Sequence, residues 1–471
     1  MHMEEKLELS DIQGYIIRGY KYMMYSRYAV LRVADPVAAR KFLKNHAGEV
    51  TNVTHHAKTN CLNIAFTCAG LNALGLKNSN LAYFTREFRE GITSAHRQRL
   101  LGDMGDSAPE AWRWGGPNNE AVHMLLMVFG KDKETALNYY AKLQSEFAPG
   151  LVEVLQMDGQ TLPNNREHFG FRDGISQPII KGSGRKGPEN DFINAGEFLM
   201  GYKNEYDVYP DTPLLGEDQG DSFLLPFDAA GTGKKDLGRN GSYMVMRQLQ
   251  QDVKGYWEFM NEKTKNPDGS VNVDESVKLA SKMMGRWPSG APVVKFPDKD
   301  PGGESNDDYF TYSDLDKEGM KCPFGSHLRR TNPRDNFEDN GPKESLRLTK
   351  RHRIMRRARL YGDPCMGSPL NCSPDGEVGL VFTCFNTDIS RQYEFIQYTW
   401  ANYPKFKQLY NDPDPVCGVK HDPGPGVEQN FTIQAEPVNK YVTGLQRFVT
   451  VRGGAYFFFP SVTAITYLST L

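Results

Sequence analysis

The order of apolar segments between residues 28 and 159 limits this chain to few folds. Alternating apolar positions predict strands over 28–35, 61–68, 121–130 and 151–159, and helical periodicity predicts helices over 36–47 and 133–143. Further helices around 70–76 and 80–88 interrupt the order between the second and third strands. A β-α-β-β-α-β order packs its helices on one face of an antiparallel sheet, the ferredoxin-like arrangement. A similar order returns later, with strands over 241–249 and 379–385 and within 447–460, and helices over 252–264 and 389–403. The expected fold class is therefore α+β, built from two ferredoxin-like domains over residues 1–160 and 241–471. Between them, 161–240 is rich in Gly, Pro, Asp and Asn with few periodic segments, and a connection that long in a compact chain is usually functional. The last segment, TAITYLSTL, reads as a final strand.

Composition narrows the function. The 471 residues suffice for two cores, and 56 basic against 58 acidic residues leave a net charge of -2, too little to draw the chain to nucleic acid or an anionic membrane. The first fifteen residues carry acids where a leader needs basic and apolar groups, and no apolar run approaches the roughly 20 residues that span a bilayer. The reading is a soluble, cytoplasmic protein. Seven cysteines, Cys61, Cys68, Cys322, Cys365, Cys372, Cys384 and Cys417, form no C-x-x-C pair, so neither a zinc knuckle nor a disulfide framework is indicated.

Two glycine-rich stretches mimic nucleotide loops. GSGRKG (182–187) spells G-x-G-x-x-G but lacks the strand and helix that motif needs, and GTGKK at Gly231 lacks the remainder of a phosphate loop. The arginine-rich run Lys350–Arg359 suggests a nucleic-acid patch, or else a solvated strand or loop. Ile354 and Met355 interrupt it, however, so an inward-pointing arginine, a buried cation awaiting an anion, is the third reading.

HFGFRDGISQP (168–178) sets a carboxylate, Asp173, on a tight turn, which alone is ordinary turn chemistry. In CPFGSHLRRTNPRD (322–335), His327 precedes Arg329, Arg330 and Arg334. A bare metal would not favour three neighbouring cations, whereas haem would, because arginine pairs with its propionates.

These segments resemble the dye-decolorising peroxidases, specifically their longer cytoplasmic bacterial-type members. HFGFRDGISQP resembles the family's G-x-x-D-G motif, HLRRTNPR its proximal histidine motif, and RIMRRARLYG the segment that carries its distal arginine. DIQGYIIRGY, FTCAGLNALGL, DLGRNGSYMVMRQLQQDV and FTCFNTDISRQYEFIQ extend the likeness along most of the chain.

The resemblance implies one haem b per chain, enclosed by the antiparallel sheets, with His327 as iron ligand, Asp173 as distal acid and Arg334 on a propionate. It implies a distal arginine at Arg356, with Arg353, Arg357 and Arg359 as neighbouring registers, and places Asp388 as carboxylate partner of His327. The 29 residues from His327 to Arg356 imply an insertion around FEDNGPKES that loops out. Gly174 and Ile175 beside Asp173 and the apolar Leu380 and Phe382 complete the expected cofactor contacts; the last two read equally well as sheet core. The implied partners are hydrogen peroxide and aromatic small-molecule reductants such as dyes and phenolics, with electrons leaving through surface aromatics. Neither nucleic acid nor membrane is implied, and an oligomer is compatible. Two alternatives stand beside the enzyme: a haem-binding protein for storage, sensing or iron release, which needs no Asp173, and a nucleic-acid binder using Lys350–Arg359.

Overall fold

The computed structural model describes residues 6–337, 341–363, 374, 376–419 and 428–471. Strands β1 (Tyr25–Val33), β2 (Asn60–Phe66), β3 (Met124–Gly130) and β4 (Leu151–Gln160) form an antiparallel sheet in the order β2-β3-β1-β4. Helices Pro36–His46 and Lys133–Phe147 cover one face. Asp35 and Asp132 accept backbone N–H groups at their first turns, and Phe42, Leu43, Tyr140 and Leu143 pack on Leu31, Ile64 and Leu126 of the sheet.

After the two-residue parallel pair β5 (Ile179–Ile180) and β6 (Phe192–Ile193), the second half begins with β7 (Ser242–Gln251) and helix Val253–Thr264. It continues through β8 (Met355–Arg356), β9 (Arg359–Tyr361) and β10 (Gly379–Asn386) to a helical stretch, 390–402, of π type. A hairpin of β11 (Asn430–Ile433) and β12 (Lys440–Thr443) precedes β13 (Val449–Phe459). Both ferredoxin-like orders are thus present. The insertion expected at FEDNGPKES carries helix Pro342–Lys350, while its residues 338–340 lie outside the described residues.

The two sheets join at both edges. β13 meets β2 through Phe458 and Phe66, β4 meets β9 through Gln160 and Leu360, and β7 bridges β13 and β10, so the strands close into a ring. Tyr15 and Ile16, from the short helix Tyr15–Arg18, fill its lumen together with Phe129, Met246, Phe385 and Phe457. Along β7 and β10 alternate residues face opposite ways, lumen and exterior, and Leu249, Leu380 and Phe382 point outward onto a cavity of about 260 Å³. The C-terminal segment is not a strand but helix Val462–Leu468, because Ser461 caps its start and Ala464, Ile465 and Leu468 recur at helical spacing on a buried face.

Among the described residues no helix is long and apolar enough to cross a membrane. Five cysteines, Cys61, Cys68, Cys322, Cys384 and Cys417, are free thiols; Cys365 and Cys372 lie outside the described residues.

Candidate active site

One wall of the outer cavity carries His327, the first residue of the five-residue helix His327–Thr331. Its Nδ1 lies 2.9 Å from Oδ2 and 3.1 Å from Oδ1 of Asp414. Asp414 is fully buried, and its Oδ1 also accepts the backbone N–H groups of Val416 and Cys417. Burial opposes charge on the imidazole, yet the Asp414 carboxylate outweighs it and holds the His327 pKa well above its ordinary value. Burial likewise opposes charge on Asp414, and the His327 ring reverses that and lowers its pKa. With Nδ1 committed to the carboxylate, Nε2 remains as the ligating atom, the arrangement that orients metal-bound histidines.

The same cavity is lined by Asp173, Gly174, Ile175 and Arg356. Gly170 (φ 98°) and Gly174 (φ 74°) bracket Asp173 in the left-handed region, which lets a tight turn present the carboxylate. The turn is clamped from behind. Phe169 stacks on Tyr256, the Trp257 indole N–H donates to the Phe169 carbonyl, and Phe171 stacks parallel to Trp257. Arg356 Nη1 donates to Asp173 Oδ1 at 3.2 Å, while its Nη2 donates to the Ser176 carbonyl and its backbone N–H to the Gln177 side chain.

Strand alternation sorts the arginine run. Arg357 and Arg359 are buried, donating to carbonyls of Tyr15, Ile16, Ile17 and Tyr20, whereas Arg356 and Ala358 border the cavity. Arg353 also lines the cavity and lies 3.6 Å from Asp191. The run is therefore turned inward.

Three expectations are revised. Asp388 is not the partner of His327: it accepts the Arg391 backbone N–H and pairs with the Arg391 guanidinium at 3.2 Å, capping the 390–402 helix. Asp414 takes the histidine instead. The sequence reading missed it because it sits 87 residues on, in a proline-flanked loop; the only signal was the carboxylate in DPDPVCG. Nor do the arginines beside His327 face the cavity. Arg329 donates to Asp316 and Asn336, and Arg330 to the Trp400, Tyr403 and Asp412 carbonyls. Arg334 stands one side chain back, paired with Asp308 and 3.4 Å from the hydroxyl of cavity-lining Ser176. Leu380 and Phe382 line the cavity on β10.

The donor set suits haem. A histidine with one free ring nitrogen faces a space walled by Phe171, Leu249, Leu380 and Phe382, and Arg286, Arg353 and Arg447 stand on its lining as cations for carboxylate edges.

Fold and site together define a dimeric α+β barrel whose ligand cavity lies outside the barrel wall, and a family model described as the DyP dimeric alpha+beta barrel domain matches residues 11–163. A dye-decolorizing peroxidase of Exidia glandulosa is 27% identical over 485 residues, 98% of this chain and 87% of the relative. A multifunctional dye peroxidase of Amycolatopsis is 27% identical over 478 residues, 96% of this chain and 94% of its own. The solved structure of an ancestral D-type dye decolorizing peroxidase superposes with a TM-score of 0.78 at 27% identity, covering 99% of this chain and all of that one. The chain is thus similar to dye-decolorising peroxidases along almost its whole length, and its first domain matches their barrel-domain model.

Proposed function

We propose that the protein is a cytoplasmic peroxidase carrying one haem b per chain. It reduces hydrogen peroxide to two waters while two phenolic molecules each surrender one electron and one proton and become phenoxyl radicals. Curated relatives named dye-decolorizing peroxidases support this reading. The observation that carries it is a pair of couples on one cavity, His327 with Asp414 and Asp173 with Arg356.

His327 would hold the iron through Nε2, and Asp414 would raise the basicity of that ligand. Arg334, through the Ser176 edge, would take a propionate. Bound haem would supply the redox chemistry of O–O cleavage and draw in the electrons of the reductant. Asp173 would take a proton from the inner peroxide oxygen and return it to the outer one, so that water leaves. Arg356 would hold Asp173 in place and stabilise the negative charge that develops as the bond breaks. Gly174 and Ile175 would leave room beside the carboxylate, and Leu380 and Phe382 would keep water from the cavity wall.

Replacing Asp173 with Asn is expected to lower peroxide-dependent oxidation of a phenolic dye by roughly 10² to 10⁴, with the haem absorption band retained. Unchanged turnover would sink the assignment and favour a haem carrier.

A further inference from the structure

A second chamber, of about 340 Å³, adjoins the first and shares Asp173, Gly174, Arg356 and Leu380 with it. Its lining holds eight cationic side chains against four carboxylates. Each of those carboxylates already has donors: Asp173 has Arg356, Asp191 has Arg353, Asp308 has Arg334 and Arg286, and Glu167 is held by Gln251 and two backbone N–H groups. The cations are not matched in return. Among the described residues, Lys21, Arg185, Lys186, Arg357 and Arg359 have no carboxylate partner. Arg185 donates to the Ile17 carbonyl, and Arg357 and Arg359 spend their donors on carbonyls and a threonine hydroxyl.

The crowding acts on the cations themselves. Burial lowers the Lys21 pKa, and Arg185, Arg357 and Arg172 push it further. Burial also takes Arg357 down to about 9, with Arg185 adding to the shift. Such a cluster costs stability unless an anion offsets it.

Arg185 and Lys186 belong to the glycine-rich 182–187 loop, whose Gly182 and Gly184 adopt left-handed φ of 81° and 72°. Both side chains are exposed at the chamber, as is Tyr309 (67%), an aromatic ring on the same lining. An aromatic face beside unpaired cations suits an aromatic ring that bears a negative group.

We propose that this chamber is a binding vestibule for small aromatic anions, carboxylates or sulfonates, gripped by Lys21, Arg185 and Lys186 and delivered as reductants to the cavity that Asp173 and Arg356 share with it. The proposal rests on the peroxidase reading for the fate of the ligand but not for its binding.

The test uses haem-loaded, full-length protein with 4-hydroxybenzoate and its uncharged methyl ester as probes. Calorimetry without peroxide is expected to show tighter binding of the acid than of the ester, weakening as salt rises. In the Arg185→Ala/Lys186→Ala variant, the preference for acid over ester is expected to fall about tenfold, both in calorimetric affinity and in kcat/KM. Lys21→Ala is expected to shift it in the same direction. Equal binding of acid and ester by the wild type, or an undiminished preference in the double variant, would overturn the vestibule. Failure of the peroxidase reading shows separately, as no turnover of either compound while the calorimetric preference persists, an outcome that upholds the vestibule.

Discussion

At the residue scale, the decisive contact is the one between His327 and Asp414. Asp414→Asn keeps a group that can hydrogen-bond Nδ1 but removes the charge, so haem should remain bound while its reduction potential rises and kcat falls about tenfold or more. Potentiometry of the haem band, read alongside turnover, separates this positioning role from a merely structural one. Asp388→Asn is the control, expected to leave both unchanged because its carboxylate serves Arg391. Arg330 makes the converse case. Its guanidinium is wholly buried on three backbone carbonyls, so Arg330→Ala should destabilise the fold by about 3–5 kcal/mol. Urea unfolding checks this, and a variant as stable as wild type would return Arg330 to the cofactor.

At the element scale, the turn from Glu167 to Asp173 repays attention because its geometry hangs on one carboxylate. Glu167 accepts the backbone N–H groups of Phe169 and Phe171, each at 2.9 Å, and the Gln251 amide at 2.8 Å. Burial pushes its carboxyl up from 4.5 to about 7 against those three donors. Folding raises this pKa, so the folded chain holds the proton longer than the unfolded one. The resulting stabilisation is complete below about 4.5 and is lost as pH climbs through about 7. The stability of wild type relative to Glu167→Gln should therefore decline by about 1–3 kcal/mol across that window. A difference that stays constant from acid to neutral pH would mean that Glu167 is charged throughout.

The same elements mark what the sequence could reveal. Strands and helices of the first half were legible because their periodicity is local and their caps, Asp35 and Asp132, are written beside them. The terminal helix was missed because TAITYLSTL is rich in β-branched residues, and its buried face becomes visible only against helix Pro36–His46. Asp173, Arg356 and His327 were reachable through motif resemblance. Asp414 was not, since a carboxylate 87 residues from its histidine leaves no spacing to read. The three arginines after His327 misled for a physical reason: a cation in a motif serves the backbone as readily as a ligand.

At the scale of the whole molecule, the two halves share one lumen but meet edge to edge at two narrow seams. Trp114 lies across one of them, its indole N–H on Gln248 of β7. Neither half can bury its inner face without the other, so unfolding should be a single transition. The tryptophans report it: Trp112 and Trp114 belong to the first half, and Trp257, Trp287 and Trp400 to the second. Fluorescence and far-ultraviolet dichroism should give coincident urea midpoints, and a plateau between two steps would show that the halves fold independently.

The filling of the barrel bears on how the protein is made. Tyr15 and Ile16 leave the ribosome ahead of every strand of the barrel, yet the wall that encloses them is finished only by β13, and the Val462 and Thr463 backbone N–H groups fasten back onto Asp11. The plug must wait through synthesis of all the barrel strands for its enclosure. Contacts of such sequence separation are slow to form and leave apolar surface open meanwhile. Barrel closure therefore waits until β13 has been made, and until then chaperones have access to the unfinished lumen.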